Sequence, residues 1–118
     1  MPLDSDFFVK FWGVRGSIPC PGPDTAIYGG NTPCVEIRCG SNVLIFDAGT
    51  GIRPLGNILA ADNVRDVDLF LTHTHLDHIN GFPMFNFLFD DKNHLKIWAG
   101  RREVWSSIKD IFEKFMAP

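Results

Sequence analysis

His73, His75, Asp77 and His78 stand in the spacing H-x-H-x-D-H, which places three of the four histidines within six residues. A chance match in a chain of this composition is expected about 4 × 10⁻⁴ times. His73 and His75 lie two apart on what reads as an extended segment, so both imidazoles project to one side and can close on a single ion. Asp77 and His78 follow at a turn, from which their side chains can reach a second ion beside the first. Imidazole and carboxylate suit zinc, and they also suit iron or manganese. Two such ions about 3.5–4 Å apart can share a bridging hydroxide and clamp an in-line displacement. A lone histidine would read as a satisfied core or surface residue; four ligand-type residues at this spacing read as a metal site.

Two further residues bear on that chemistry. Phe46-Asp47-Ala48-Gly49-Thr50-Gly51 ends an apolar strand on a carboxylate. Asp47 reads either as an acid behind the ligands that orients a metal-binding histidine or as a turn cap at the strand end, and the residues alone do not choose. Arg15 sits in a glycine-rich loop, where a guanidinium and backbone N–H groups could meet a phosphate. A structural salt bridge is its other reading.

The elements that must position these residues follow from period and punctuation. Phe7 to Trp12 reads as a strand. Gly13 to Pro33 holds five of the eleven glycines and four of the eight prolines, a long loop of the kind that often borders a site. Val35 to Arg38 and Asn42 to Phe46 read as a hairpin around Gly40-Ser41. The apolar run Val43-Leu44-Ile45-Phe46 suits a strand covered on both faces. Pro54 to Ala61 reads as a short helix with its proline near the first turn. Val67 to Leu71 is a buried strand that runs directly into the histidine cluster. His94 to Ala99 is a further strand, and its first residue, His94, reads as a surface histidine. From Arg102 to Met116, Val104, Trp105, Ile108, Ile111, Phe112, Phe115 and Met116 form one apolar stripe at helical period, as expected of a helix packed on a sheet. Strands with interspersed helices make an α/β arrangement with at least one covered sheet.

Thr72-His73-Thr74-His75-Leu76-Asp77-His78-Ile79-Asn80-Gly81 resembles the signature of the metallo-β-lactamase superfamily, and Phe46 to Arg53 resembles its earlier aspartate motif. Gly13-Val14-Arg15-Gly16-Ser17-Ile18-Pro19, with Gly29-Gly30-Asn31-Thr32, is similar to the branch that includes ribonuclease Z and the phosphonate-pathway cyclic phosphodiesterases. The resemblance runs from about Phe7 to Gly100. It implies an αββα sandwich, with His73 and His75 on one metal ion, Asp77 and His78 on the other, and Asp47 in a supporting position. It implies a metal-dependent hydrolase that uses a metal-bound hydroxide at a dinuclear site, most simply on phosphodiester bonds, with Asp77 as catalytic residue and two divalent ions, zinc first, as cofactors. The superfamily completes its site with a later histidine, a bridging aspartate and a final histidine, none of which is present here. The chain therefore matches the N-terminal half of the sandwich, residues 1–118 reading as part of one domain, and by itself it is expected to be inactive. Its partners would be a small-molecule or nucleotide-like phosphodiester substrate and either the missing C-terminal half or a second copy. The alternatives are hydrolysis of a thioester, lactone or amide, because the motif does not select the scissile bond, and an inactive half-domain serving as a metal-binding or interaction module.

Composition narrows the setting. Of the 118 residues, 45% are hydrophobic and eleven are Phe, which argues for a real core and against disorder. A net charge of −3 supplies no general attraction to nucleic acid or anionic membrane, although a local basic patch would. No segment is long and apolar enough to span a membrane, and Met1 to Asp6 lacks the cationic start of a secretory signal, so the cytoplasm is the expected location. Three cysteines cannot all pair. Cys34 and Cys39, five apart on a strand, should face opposite sides and stay reduced.

Overall fold

The computed structural model describes residues 7–100 and 108–117. Five strands form one mixed sheet in chain order: β1 (Phe7–Gly13), β2 (Cys34–Cys39), β3 (Asn42–Phe46), β4 (Asp66–Leu71) and β5 (His94–Ala99). β1, β2 and β3 pair antiparallel, and β3, β4 and β5 pair parallel. The antiparallel β2–β3 connection is tight because Gly40 takes φ 61°, the left-handed conformation a two-residue hairpin needs. The parallel β3–β4 connection needs a crossover, and helix α1 (Ile52–Ala61) supplies it. Helix α1 begins two residues before the stretch expected from sequence, and Pro54 falls in its first turn, where a missing N–H costs no hydrogen bond. Helix α2 (Ile108–Met116) is the described part of the C-terminal helix; Arg102 to Ser107, including Val104 and Trp105 of its expected stripe, lie outside the described residues.

One face of the sheet carries the core. Ile45 and Leu69 stand side by side in the β3–β4 register and are fully buried, with Val43, Val67 and Leu71 on the same face. Ile52, Leu55 and Leu59 of α1 cover them, one residue per turn of the helix. Phe82, Phe85 and Phe87 close the layer. Phe112 of α2 stacks on Phe82 with ring centroids 4.2 Å apart, which ties the C-terminal helix to the segment just beyond the histidine cluster. Each such side chain removed from water contributes about 1.5–3 kcal/mol. The buried Glu36 sits at the edge of this core, neutralised by Arg38 and hydrogen-bonded to Trp12 Nε1 at 2.9 Å.

The opposite face is a different matter. Val43-Leu44-Ile45-Phe46 reads as covered on both sides, but only Val43 and Ile45 are buried, while Leu44 and Phe46 are half-buried. The reason lies in register. Phe11, Val35, Phe46, Phe70 and Trp98 are successive cross-strand partners and form one row over all five strands. Phe46 stacks on Phe70 at 5.1 Å and Phe70 on Trp98 at 6.1 Å. No described element covers this row, and its two ends are open, with Phe11 67% and Trp98 52% exposed. An apolar row of this extent is unusual on a monomer surface. The chain on its own is expected to self-associate through this face. Light scattering over a concentration series should show mass rising with concentration, and the double variant Phe11→Lys/Trp98→Lys should stay monomeric; a wild-type chain that is monomeric throughout would contradict this.

Candidate metal centre

The histidine cluster sits at the C-terminal end of β4, the end at which ligands bind in open parallel sheets. Beyond Leu71 the chain bends at Thr72, reaches His75 in an extended conformation (φ −60°, ψ 148°) and then makes a single 3₁₀ turn, Leu76–His78. The extended stretch puts the rings of His73 and His75 4.5 Å apart, and the turn brings His78 back to 4.0 Å from His73. Asp77 enters from the same turn, with Oδ2 3.6 Å from His78 Nε2. The four residues singled out by their spacing therefore do converge.

Asp47 joins them from β3. Its backbone N–H donates to Phe70 O at 2.8 Å, which continues the pairing of the two strands beyond their last register pair. The backbone there takes φ 67°, an uncommon conformation for a residue with a side chain. The result is a buried carboxylate aimed across at β4. Oδ1 accepts from Thr72 N at 2.8 Å, and Oδ2 accepts from Thr72 Oγ1 at 2.7 Å. Oδ2 also lies 2.9 Å from His78 Nδ1. That contact is close but off-line: the ring nitrogen is buried without a well-directed hydrogen bond, and the carboxylate holds the ring by proximity, with Nε2 on the Asp77 side.

Thr72 carries the chemistry one step further. Its hydroxyl has a single proton. A carboxylate can only accept, so that proton is spent on Asp47. Thr72 Oγ1 also lies 3.0 Å from His73 Nδ1. In that contact Nδ1 must be the donor, and His73 Nε2 is left with its lone pair free. Asp47 thus reaches His73 through Thr72 and His78 directly, the outer support that orients imidazole ligands in metal sites.

The Gly13–Pro33 loop packs against the same region. Ser17 N donates to Asp77 Oδ2 at 3.0 Å. This N–H is the main reason the Asp77 carboxyl titrates below the usual aspartate range, with the nearby charges of His78 and His73 acting in the same direction. At the other end of the loop, Thr32 is fully buried and reaches two turns at once. Its hydroxyl donates to Asn80 Oδ1 at 2.9 Å and accepts from Thr50 N at 2.7 Å. Gly49 and Gly81 permit this closeness: a Cβ on Gly81 would stand 2.1 Å from Gly49 O, and one on Gly49 would stand 2.5 Å from Thr32 Oγ1. Arg15 is exposed on the loop, and its side chain makes no ion pair with a described residue. His94 starts β5 opposite Asp66, at the far end of β4 from the cluster, and is exposed. Cys34 is buried and Cys39 exposed, both free, and burial pushes the Cys34 thiol well above its ordinary range.

Sequence reasoning missed Thr72, Ser17 and Thr32. Thr72 could have been suspected from its place next to His73. Ser17 and Thr32 lie 60 and 48 residues from their partners and gave no local signal.

The donor set fits a divalent transition metal in type, three imidazoles and a carboxylate. In number it is short, because among the described residues no group of three His, Cys, Asp or Glu side chains encloses one ion.

Comparison with known proteins places this arrangement. A ribonuclease Z from Archaeoglobus fulgidus is 28% identical over 92% of this chain and 33% of its own length. Ribonuclease Z from Pyrococcus furiosus is 34% identical over 62% of this chain and 22% of its own. Similarity to ribonuclease Z therefore extends over most of this chain. This chain spans about a third or less of the length of these curated relatives. A Thermotoga maritima crystal structure described as a metallo-β-lactamase is similar at a TM-score of 0.44, with 21% identity over 70% of this chain and 41% of that one. No family model matches the chain.

The support of the histidine cluster hangs on one hydroxyl, which makes Thr72 a sharp test. Thr72→Val keeps the shape but leaves a buried Asp47 oxygen short of a donor, and should cost about 1–3 kcal/mol in denaturant unfolding. Thr72→Ser should restore most of it. A valine variant as stable as the parent would show that the Asp47–Thr72 contact is not a support.

Proposed function

We propose that this chain is the N-terminal part of a metal-dependent hydrolase acting on phosphodiester bonds, with RNA as the substrate class that the ribonuclease Z relatives suggest. The observation that carries the reading is the convergence of His73, His75, Asp77 and His78 at the end of β4, with Asp47 behind them. His73 and His75 would hold one divalent ion, Asp77 and His78 the other, and zinc fits the donors best. Such ions, when bound, supply Lewis-acid activation of a water nucleophile. The remaining ligands would come from the rest of the longer protein, because catalytic zinc sites use three protein ligands and an open position. Alone, the chain would then be inactive.

The residues of this chain have separable tasks. Asp47 and Thr72 hold His73 with Nε2 free. Asp77 presents a carboxylate to the reacting centre and accepts a hydrogen bond from the attacking water. Arg15, exposed two residues from the Ser17–Asp77 contact, is placed to meet a substrate phosphate. A local cation is needed for that, since the net charge of −3 gives no general attraction to a polyanion. The readings as a thioester, lactone or amide hydrolase, or as an interaction module, have no comparable feature.

Two measurements on the full-length protein test this. Metal content should fall to about one ion per site or fewer in His73→Ala/His75→Ala; an unchanged content would remove the ligand assignment. In steady-state kinetics on bis-p-nitrophenyl phosphate, Asp77→Asn should lower kcat by about 10²-fold or more with a smaller change in KM, as expected where an interaction is made mainly in the transition state. Arg15→Ala should instead mainly raise KM. Near-normal kcat in Asp77→Asn at full metal occupancy would show the residue to be misassigned.

A further inference from the structure

Among the described residues, three that are not glycine have positive φ: Ser17, Asp47 and Asn63. Asn63 follows α1, where asparagine adopts this conformation readily. The other two both contact the histidine cluster. Asp47 does so through Thr72 and His78, as described. Ser17, at φ 73°, has no sequence reason to be there, since serine in the left-handed region carries a strain of order 1–3 kcal/mol that the surroundings must hold in place.

The surroundings do hold it. Arg15 N donates to Asn31 O at 2.9 Å and Cys20 N to Gly30 O at 2.9 Å, so the loop is pinned on both sides of Ser17. The strained residue then turns its own N–H out of the loop and onto Asp77 Oδ2 at 3.0 Å. Oδ2 is also the oxygen 3.6 Å from His78 Nε2, so a residue 60 positions away holds the side of the carboxylate that faces the histidines.

We infer that the Ser17 amide is a positioning device for Asp77: it engages Oδ2, the oxygen 3.6 Å from His78 Nε2, and fixes the rotation of the carboxylate toward the histidine cluster. The inference rests on the reading of Asp77 as a ligand. A free carboxylate can bind an ion through one oxygen or both. With Oδ2 engaged by a rigid donor, the cost of ordering the side chain is met before the ion arrives. A loop remote in sequence thereby sets the geometry of the ion that Asp77 shares with His78. The strain at Ser17 has a use on this account: relaxing the residue to negative φ would swing the N–H away from Asp77.

The test is cobalt binding to the full-length protein, read by the visible absorption of the second equivalent and by competition with a chelating dye. Ser17→Val, which resists positive φ, should weaken the second equivalent about 10–100-fold, the usual effect of losing support behind a ligand, and should change the cobalt spectrum. Ser17→Gly keeps the N–H and adopts this φ freely, so it should bind as the parent does. Should the valine variant fold poorly, replacing the Gly16–Ser17 amide by an ester removes the N–H alone and should reproduce the loss. Parent-like affinity and spectrum in both the valine and ester proteins, with Asp77→Asn still weakened, would overturn this inference and spare the ligand reading. Unaltered cobalt binding in Asp77→Asn would overturn both.

Discussion

Everything at the candidate site depends on the Asp47 carboxylate standing between the ends of two parallel strands. β3 and β4 run side by side with Phe46 opposite Phe70, so their next residues emerge at the same edge of the sheet. Asp47 continues from β3, turns at φ 67°, and receives both the backbone and the hydroxyl of Thr72 from β4. A buried carboxylate is costly unless its lone pairs are used. Here they are used on the residues that must not move, so the demand for satisfaction and the demand for ligand geometry are met by the same contacts. Removing water from this carboxylate also strengthens those contacts, because hydrogen bonds to charge gain as the local dielectric falls.

Around that contact three loops are fused into one body. Ala48 N donates to His78 O and Gly81 N to Ala48 O, at 2.8 and 2.9 Å, which locks the turn after β3 to the turn that carries the ligands. Thr32 bonds to both turns from the glycine-rich loop, and the absence of side chains at Gly49 and Gly81 lets the three backbones approach. The polar residues of this knot are satisfied by each other, which makes them hard to rearrange singly. The cluster itself remains accessible, His73 and His75 being exposed. Support below and access above is what a site needs if an ion and a substrate are to enter it.

The sheet divides the molecule's two requirements between its faces. The helix-covered face holds Ile45, Leu69 and the α1 leucines and stabilises the frame. The other carries the Phe11–Val35–Phe46–Phe70–Trp98 row and has no cover among the described residues. Relatives three times longer have the chain to supply one.

What the sequence determined by itself was local. The ligand types and their two-residue and one-residue spacings sit in one short segment, and extended backbone followed by a turn suffices to make them converge. The hairpin, the crossover helix and β5 were legible because period and punctuation are properties of neighbouring residues. The tertiary structure alone decided whatever depends on distant register. Val43-Leu44-Ile45-Phe46 is uniformly apolar, so composition could not say that one face would be open; that follows from which strands and helices lie beside it. Asp47 admitted two readings until the parallel pairing put Thr72 and His78 within reach. Ser17 was silent altogether, since its positive φ and the target of its N–H are imposed by a loop closing over a turn 60 residues away. Side-chain type and local spacing carry ligand chemistry; the orientation of those ligands is set by backbone groups, which look alike in every residue until the fold has placed them.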